Sequence, residues 1–279
     1  MSREFLAFSG HNEAAVRLYL QHWICQYQMG FLLHPSIPTG RTDLKVLDIA
    51  CGTGVWLVDL SRSLPHAQLD GFDISDAHFP TQAELPSNVH LQVQDALKPV
   101  PKELLGKYDI VHVGRISMFV RNENPTPIVQ NFLAMLKPGG FLQWDELDSG
   151  GMNAKSFSND THYVHFAEII VYFRAWLAAQ KCTSQWLNEL PTLFEDLGIS
   201  VHAYERLPIG DHMSKPWSEM QLMAYRDFME HDVIPSTQDD PKWPSPDKWR
   251  EMLQGVHGEC QQGLRVFMDM VFIVGQKSM

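Results

Sequence analysis

Between residues 45 and 144, short apolar runs alternate with stretches of helical periodicity. The runs fall at 45–49, 68–73, 89–93, 108–113 and 140–144, and residues 127–136 between the last two read as a helix closed by a Lys137-Pro-Gly-Gly140 turn. Strands alternating with helices imply βαβ units, a mostly parallel sheet and right-handed crossovers. Ahead of this region, Val16, Tyr19, Leu20, Trp23, Ile24, Tyr27 and Phe31 recur at helical spacing, so a helix over 12–31 is expected to bury that face. The link His34-Pro-Ser-Ile-Pro-Thr-Gly40 ends it.

After Trp144 the alternation lapses. A polar stretch at 148–160 leads into an apolar helix over 163–179, a second helix over 185–197 ending at Gly198, and a strand over 200–205. A Met- and Trp-rich helical region (217–229), a Pro-studded segment (235–246) and one long β-rich run (263–274) close the chain.

The most informative segment is Val46-Leu-Asp-Ile-Ala-Cys-Gly-Thr-Gly54, a strand that enters a two-glycine loop and then a helical pattern. Glycines there let the backbone turn sharply and approach a ligand at a helix N-terminus. A tight strand–helix turn without a ligand is the competing reading. About twenty residues on, the second strand ends at Asp73, placed to accept hydrogen bonds from ribose hydroxyls. The third ends at Gln94-Asp95-Ala96, where a carboxylate can meet an adenine amine. With Asp48, three carboxylates stand at the carboxyl ends of successive strands, where open α/β sheets bind ligands; each alone could equally be a helix cap or turn former. A dinucleotide loop would carry a third glycine three residues after Gly54, and Leu57 stands there.

Composition narrows the setting. At 279 residues with 44% hydrophobic and 20% charged content, the chain is globular and long enough for one large domain with an insertion. A formal net charge of −11 with scattered basic residues disfavours nucleic acid. Four well-separated cysteines argue against a zinc site or disulfide framework. With no apolar run long enough for a bilayer and no signal-peptide pattern, a cytoplasmic protein without a membrane partner is expected. No metal site is expected, and a monomer or homodimer fits equally well.

Asp48-Ile-Ala-Cys-Gly-Thr-Gly54 resembles the first motif of class I S-adenosylmethionine-dependent methyltransferases, with Asp73, Asp95, Tyr108-Asp-Ile-Val-His-Val113 and Leu136-Lys-Pro-Gly-Gly140 matching later ones. Leu20-Gln-His-Trp23, Pro65 and Leu136-Lys-Pro-Gly-Gly-Phe-Leu-Gln-Trp-Asp-Glu146 extend the resemblance to fungal methyltransferases of secondary metabolism, a group that includes velvet-associated regulators. It covers residues 12–150. The resemblance implies an α/β, Rossmann-like, doubly wound, mostly parallel sheet with a C-terminal antiparallel hairpin. Residues 1–40 would form a helical lid, and 41–279 the methyltransferase domain with helical substrate-cap insertions at about 148–182 and 208–262.

The cofactor implied is S-adenosyl-L-methionine. Asp48, Ala50, Gly52 and Gly54 would hold its methionine moiety, Asp73 and Ile74 its ribose side, and Asp95 with Ala96 its adenine. Gly114 and Tyr27 would complete the pocket. Ala50 stands where the class usually has glycine, and Arg115 falls one residue later than the arginine of many relatives. For the chemistry, Glu146 after the fifth strand and His165 on the following helix are the candidate catalytic groups, and a surface or core-satisfied histidine competes for the latter. Arg115, Trp144, His162 and Met223 are the candidate acceptor-facing residues. The Met/aromatic region 217–229 reads as core packing or as the wall of an apolar, aromatic acceptor site. O-methylation of a small natural-product acceptor is the expected activity. A regulatory protein on the same fold, or a cyclase, is the alternative.

Overall fold

In the computed structural model, residues 12–158 and 163–279 are described. Strands β1 (Lys45–Ile49), β2 (Gln68–Asp73), β3 (Val89–Val93), β4 (Tyr108–Gly114) and β5 (Leu136–Leu147) run parallel. The last strand, β9 (Met270–Lys277), inserts antiparallel between β5 and β7 (Ile199–Leu207), giving a seven-stranded order β3-β2-β1-β4-β5-β9-β7. The expected Rossmann-like sheet is present. A separate antiparallel pair joins β6 (Asn153–Ser156) to β8 (Leu264–Phe267).

Helices α1 (Asn12–Met29), α2 (Val55–Ser63), α3 (Thr126–Met135) and α5 (Leu190–Asp196) accompany the sheet. Its central strands are buried on both faces, which is why they read as continuous apolar runs rather than alternating ones. Val46, Leu69, Ile110 and Val274 pack with Trp56, Leu57 and Leu60 of α2 on one face. Leu47, Val111, Val113 and Trp144 pack with Phe132 of α3 and Phe194 of α5 on the other. Helices α4 (Val164–Ala179), α6 (Ser214–Phe228), α7 (Ile234–Thr237) and α8 (Pro246–Gln261) form a cap whose apolar cluster includes Phe173, Trp176, Trp217, Met220, Trp249 and Met252. A π-helical turn, Met229–Val233, joins α6 to α7.

Three elements differ from the pattern-based expectation. The run 263–274 divides at Met268-Asp269, and its halves pair in different sheets. The Asp269 carbonyl accepts from Asp148 N–H at 2.9 Å, holding the crossing point against the end of β5. Helix α8 lies inside the expected helical cap insertion, on a stretch where no periodic apolar pattern was read. Its signals are local: the Ser245 hydroxyl accepts from Lys248 N–H, and Pro246 occupies the first turn, where a missing N–H costs nothing.

The third difference is the orientation of α1. It buries Ala14, Arg17, Gln21, His22, Ile24 and Cys25, leaving Val16 60%, Trp23 54% and Tyr27 66% exposed. Polar pairing turns it this way: His22 Nε2 lies 2.8 Å from Asp59 of α2, and Arg226 of α6 bonds Glu13. Inward polar side chains with partners compete successfully with an apolar stripe.

Gly71 of β2 marks the tightest point between sheet and helix. A Cβ there would sit 2.6 Å from a Leu91 methyl, 2.7 Å from a Leu57 methyl and 3.0 Å from Cys51 Sγ. Gly71→Ala should therefore lower stability by about 1–3 kcal/mol through overpacking, read as a shift in urea midpoint at unchanged slope.

Candidate cofactor site at the strand ends

The loop after β1 is built from left-handed backbone. Ala50 (φ 57), Gly52 (φ 54) and Gly54 (φ 71) all have positive φ, so only Ala50 carries the strain that a side chain brings in this region. Gly54 N–H bonds the Cys51 carbonyl at 2.8 Å, and Cys51 N–H bonds Phe72 O of β2 at 3.1 Å. The chain thus folds over the ends of β1 and β2 and enters α2 directly. Asp73 closes the loop: its Oδ2 accepts from Gly52 N–H at 2.8 Å and its Oδ1 from Ser75 N–H at 3.2 Å. Burial raises the proton affinity of this carboxylate, and the backbone donors oppose that. Thr53 Oγ1, inside the same loop, is buried with no partner in the protein. Beside the loop, Ile74, Val93 and Leu97 are 46%, 51% and 57% exposed, an apolar strip at the ends of β2 and β3.

Beneath the loop lies a side chain that the sequence reading did not single out. His112 of β4 is buried, with Nδ1 2.7 Å from Asp48 Oδ1 and Nε2 3.0 Å from Asp145 Oδ2. Its ring stacks on Trp56 in the first turn of α2, with centroids 4.0 Å apart and planes 4° from parallel. Burial alone lowers the proton affinity of an imidazole, but here the two carboxylates override it and raise the value to about 9. The group is therefore an imidazolium at neutral pH. Gln143 extends the network: its Nε2 donates to Asp145 and to Leu32 O, and its Oε1 accepts from His34 N–H. The only sequence signal was a histidine in the middle of an apolar strand, at the position that pairs with Asp48 in parallel register.

Residues 47–142 match the family model described as a methyltransferase domain. Methyltransferase grgD of a Penicillium species is 40% identical over 146 residues, which cover 49% of this chain and 50% of that protein. N-methyltransferase tcpN of Claviceps purpurea is 36% identical over 149 residues, 52% of each. The chain spans about half the length of the curated relatives it matches. Among solved structures, phosphoethanolamine N-methyltransferase 2 of Haemonchus contortus, in complex with S-adenosyl-L-methionine, superposes with a TM-score of 0.51 at 15% identity, covering 95% of this chain and 57% of that one. The resemblance to class I methyltransferases, including those of fungal secondary metabolism, thus holds in sequence and in fold.

The fold brings Asp48, Ala50, Gly52, Gly54, Asp73 and Gly114 together at the carboxyl ends of β1, β2 and β4. Asp95 follows β3, where its Oδ1 accepts from Leu97 N–H and its Oδ2 lies 3.6 Å from Lys98; Ala96 packs under it on the apolar cluster of that face. Arg115 ends β4 with φ 60, and its N–H donates to Asp145 O at 2.9 Å. Its Nε is buried without a partner in the protein, beside Cys25 of α1.

Three expected roles meet different surroundings. Trp144 does not face an acceptor: it is fully buried between Phe132 and Trp186, because its position in β5 points into the α3/α5 face. Tyr27 is exposed and meets the edge of His212 rather than closing over the loop. His165 lies on α4 with its ring against Gly255 of α8, so close that a Cβ there would fall 2.1 Å from the ring, and its N–H donates to Glu259. Its contacts are with α8 and not with the strand-end loops. Met223 is half-buried on α6. His162 lies outside the described residues. In the cap, Phe166, Ile170, Phe173, Tyr225, Met229 and Leu253 line an apolar cavity, and the Tyr225 hydroxyl is buried with no partner in the protein. Among the described residues, no group of three or more His, Cys, Asp or Glu could hold a metal, and no helix is long and apolar enough to cross a membrane.

Glu146 is held from several sides. Ile116 N–H and Trp144 Nε1–H donate to its Oε2 at 2.8 and 3.3 Å, and Leu147 N–H to its Oε1 at 3.0 Å. It fixes the turn that follows β4. Burial outweighs these donors and raises its proton affinity to about 7. A carboxyl that holds its proton more tightly when folded contributes stability that is fully present below its unfolded value and lost as pH rises through 7. Between pH 5 and 7 the unfolding free energy should fall at up to about 1.4 kcal/mol per pH unit from this group. Glu146→Gln should flatten that segment of a urea-denaturation series; equal slopes in both proteins would refute the assignment.

Proposed function

We propose that this chain is an S-adenosyl-L-methionine-dependent methyltransferase acting on a small natural-product acceptor. The observation that carries the proposal is the left-handed loop of Ala50, Gly52 and Gly54, closed by Asp73 at the head of a sheet in methyltransferase order. The residues fit the cofactor. The buried, unpartnered Thr53 hydroxyl supports a polar ligand in the loop, and the exposed Ile74–Val93–Leu97 strip supports a planar apolar base. Asp73 would take the ribose hydroxyls, Asp95 and Ala96 the adenine, and Gly52, Gly54 and Gly114 would leave room for the methionine end. Bound there, the cofactor supplies an electrophilic methyl group, and the protein's task is to place the acceptor in line and exclude water.

The acceptor atom we favour is nitrogen. Relatives such as tcpN are named N-methyltransferases, which supports nitrogen over the oxygen expected from sequence. The Met- and aromatic-rich cap of α4, α6 and α8 supports an apolar acceptor body, and α1 with the cap helices would form the lid over it. A cytoplasmic protein working without nucleic acid or membrane accords with the net charge of −11.

Calorimetry with S-adenosyl-L-methionine tests the reading directly. Asp73→Ala should weaken binding about 10- to 100-fold, because two hydroxyls lose a charged acceptor and Gly52 loses its tie. Release of S-adenosylhomocysteine should follow addition of a panel of amines and amides more readily than phenols or thiols. Binding unaffected by Asp73→Ala would sink the proposed site, and turnover confined to phenols would sink the choice of nitrogen.

A further inference from the structure

We propose that His112 is the positioning residue of the cofactor loop, gripping the chain on both sides of residues 49–54 and linking that grip to the exit of α1. The inference rests on the reading of the loop as a cofactor site. Asp48 is the residue before the turn, and it bonds His112 Nδ1 at 2.7 Å. Trp56 lies two residues after the turn, and its ring covers the imidazole face at 4.0 Å. One side chain therefore pins the entry and the exit of the loop. Its other nitrogen holds Asp145, which Gln143 joins to Leu32 O and His34 N–H just past α1. The chain of contacts runs from the segment after α1, across β5 and β4, to β1 and α2.

The two-sided grip needs both ring nitrogens to donate, since each faces a carboxylate acceptor that cannot donate in return. A neutral imidazole offers one donor, so loss of the proton leaves Asp48 or Asp145 buried against a lone pair. Asp48 of β1 and Asp145 of β5 face the ring, and the titratable groups next to them are Arg115 after β4, Asp73 at the end of β2, Glu146 of β5, His22 and Cys25 of α1 and Asp59 of α2. Arg115 is the only fixed cation of this set, and its Nε has no partner in the protein. It does not replace the His112 proton at Asp48. His112 acts through the loop and is not placed against the reacting atoms.

The experiment uses the full chain and S-adenosylhomocysteine, whose sulfur is uncharged, so that affinity reports the loop and not attraction for a sulfonium. Binding is measured by calorimetry from pH 6.5 to 10 for the wild type, His112→Phe and Asp145→Asn, with circular dichroism confirming the fold at each pH. His112→Phe keeps an aromatic ring on Trp56 and removes both donors; its affinity at pH 7 should be about tenfold weaker or worse. The wild type should lose affinity by a similar factor as pH rises through about 9, relative to His112→Phe, which shares every titration of the ligand. Asp145→Asn removes one of the two carboxylates that favour the proton, so its loss should begin a pH unit or more lower. A general packing role would shift melting temperature in all variants without moving this midpoint. Equal affinity within threefold for wild type and His112→Phe, with parallel pH profiles, overturns the proposal. Should His112→Phe fail to fold, an unmoved midpoint in Asp145→Asn overturns it equally. If the wild type binds no S-adenosylhomocysteine, the reading of the cofactor site itself falls, whereas binding that ignores His112 overturns only the positioning role.

Discussion

Two carboxylates, Asp48 and Asp145, are buried to 3% exposure in the middle of an apolar sheet, and the arrangement of the strand ends depends on the one imidazolium between them. Left alone, either carboxylate would carry a desolvation cost that no apolar contact of its neighbours could offset. With His112 charged, each gains a short, charge-assisted bond, and the ring spends its face on Trp56. The constraint is geometric as well as energetic. Asp48 and His112 are direct neighbours in the parallel ladder, and Asp145 sits two residues beyond the β5 partner of His112, beside Gly114. A register slip on either side of β4 would turn a carboxylate to the opposite face, toward Phe132 and Trp144.

The loop above inherits this order. Ala50, Gly52 and Gly54 adopt left-handed backbone within five residues, a conformation that costs free energy at the alanine. Such a loop persists only if its surroundings over-determine it. Asp73 ties Gly52 from β2, Leu91 of β3 packs where a Cβ at Gly54 would lie, and His112 secures the approach at Asp48 and the departure at Trp56. Four strands and the first turn of α2 thus converge on six residues.

The sheet and its loop were legible in the sequence because both depend on local chemistry. Continuous apolar runs mark strands buried on two faces, and Gly52 and Gly54 mark a turn that few other residues could make. What could not be read depends on partners distant in the chain. The α1 stripe of Val16, Trp23 and Tyr27 has helical period but lies outward, because Arg17, Gln21 and His22 find inward partners or burial on α2 and α6. Trp144 and Glu146 were placed near the reaction by their position after β5; strand alternation sends both toward α3 and the turn after β4. His112 was passed over for the opposite reason. A lone histidine in an apolar strand carries no signal until the register sets a carboxylate on each side.

These two kinds of residue divide the molecule's work. The part matched to the methyltransferase domain ends at residue 142, just short of Asp145 and well short of the cap. A cofactor common to many enzymes can be held by a loop whose form is written in a few contiguous residues. An acceptor site on α4, α6 and α8, as proposed above, would instead draw its side chains from a hundred residues of chain that pack into their own apolar cluster. The cap is rich in methionine and aromatic side chains, which repack at low cost, whereas the His112 bracket tolerates no change of register or charge. On the proposed reading, a change of acceptor in the cap would leave Asp48, His112 and Asp145 in place, and Gln143 ties that bracket to the segment after α1.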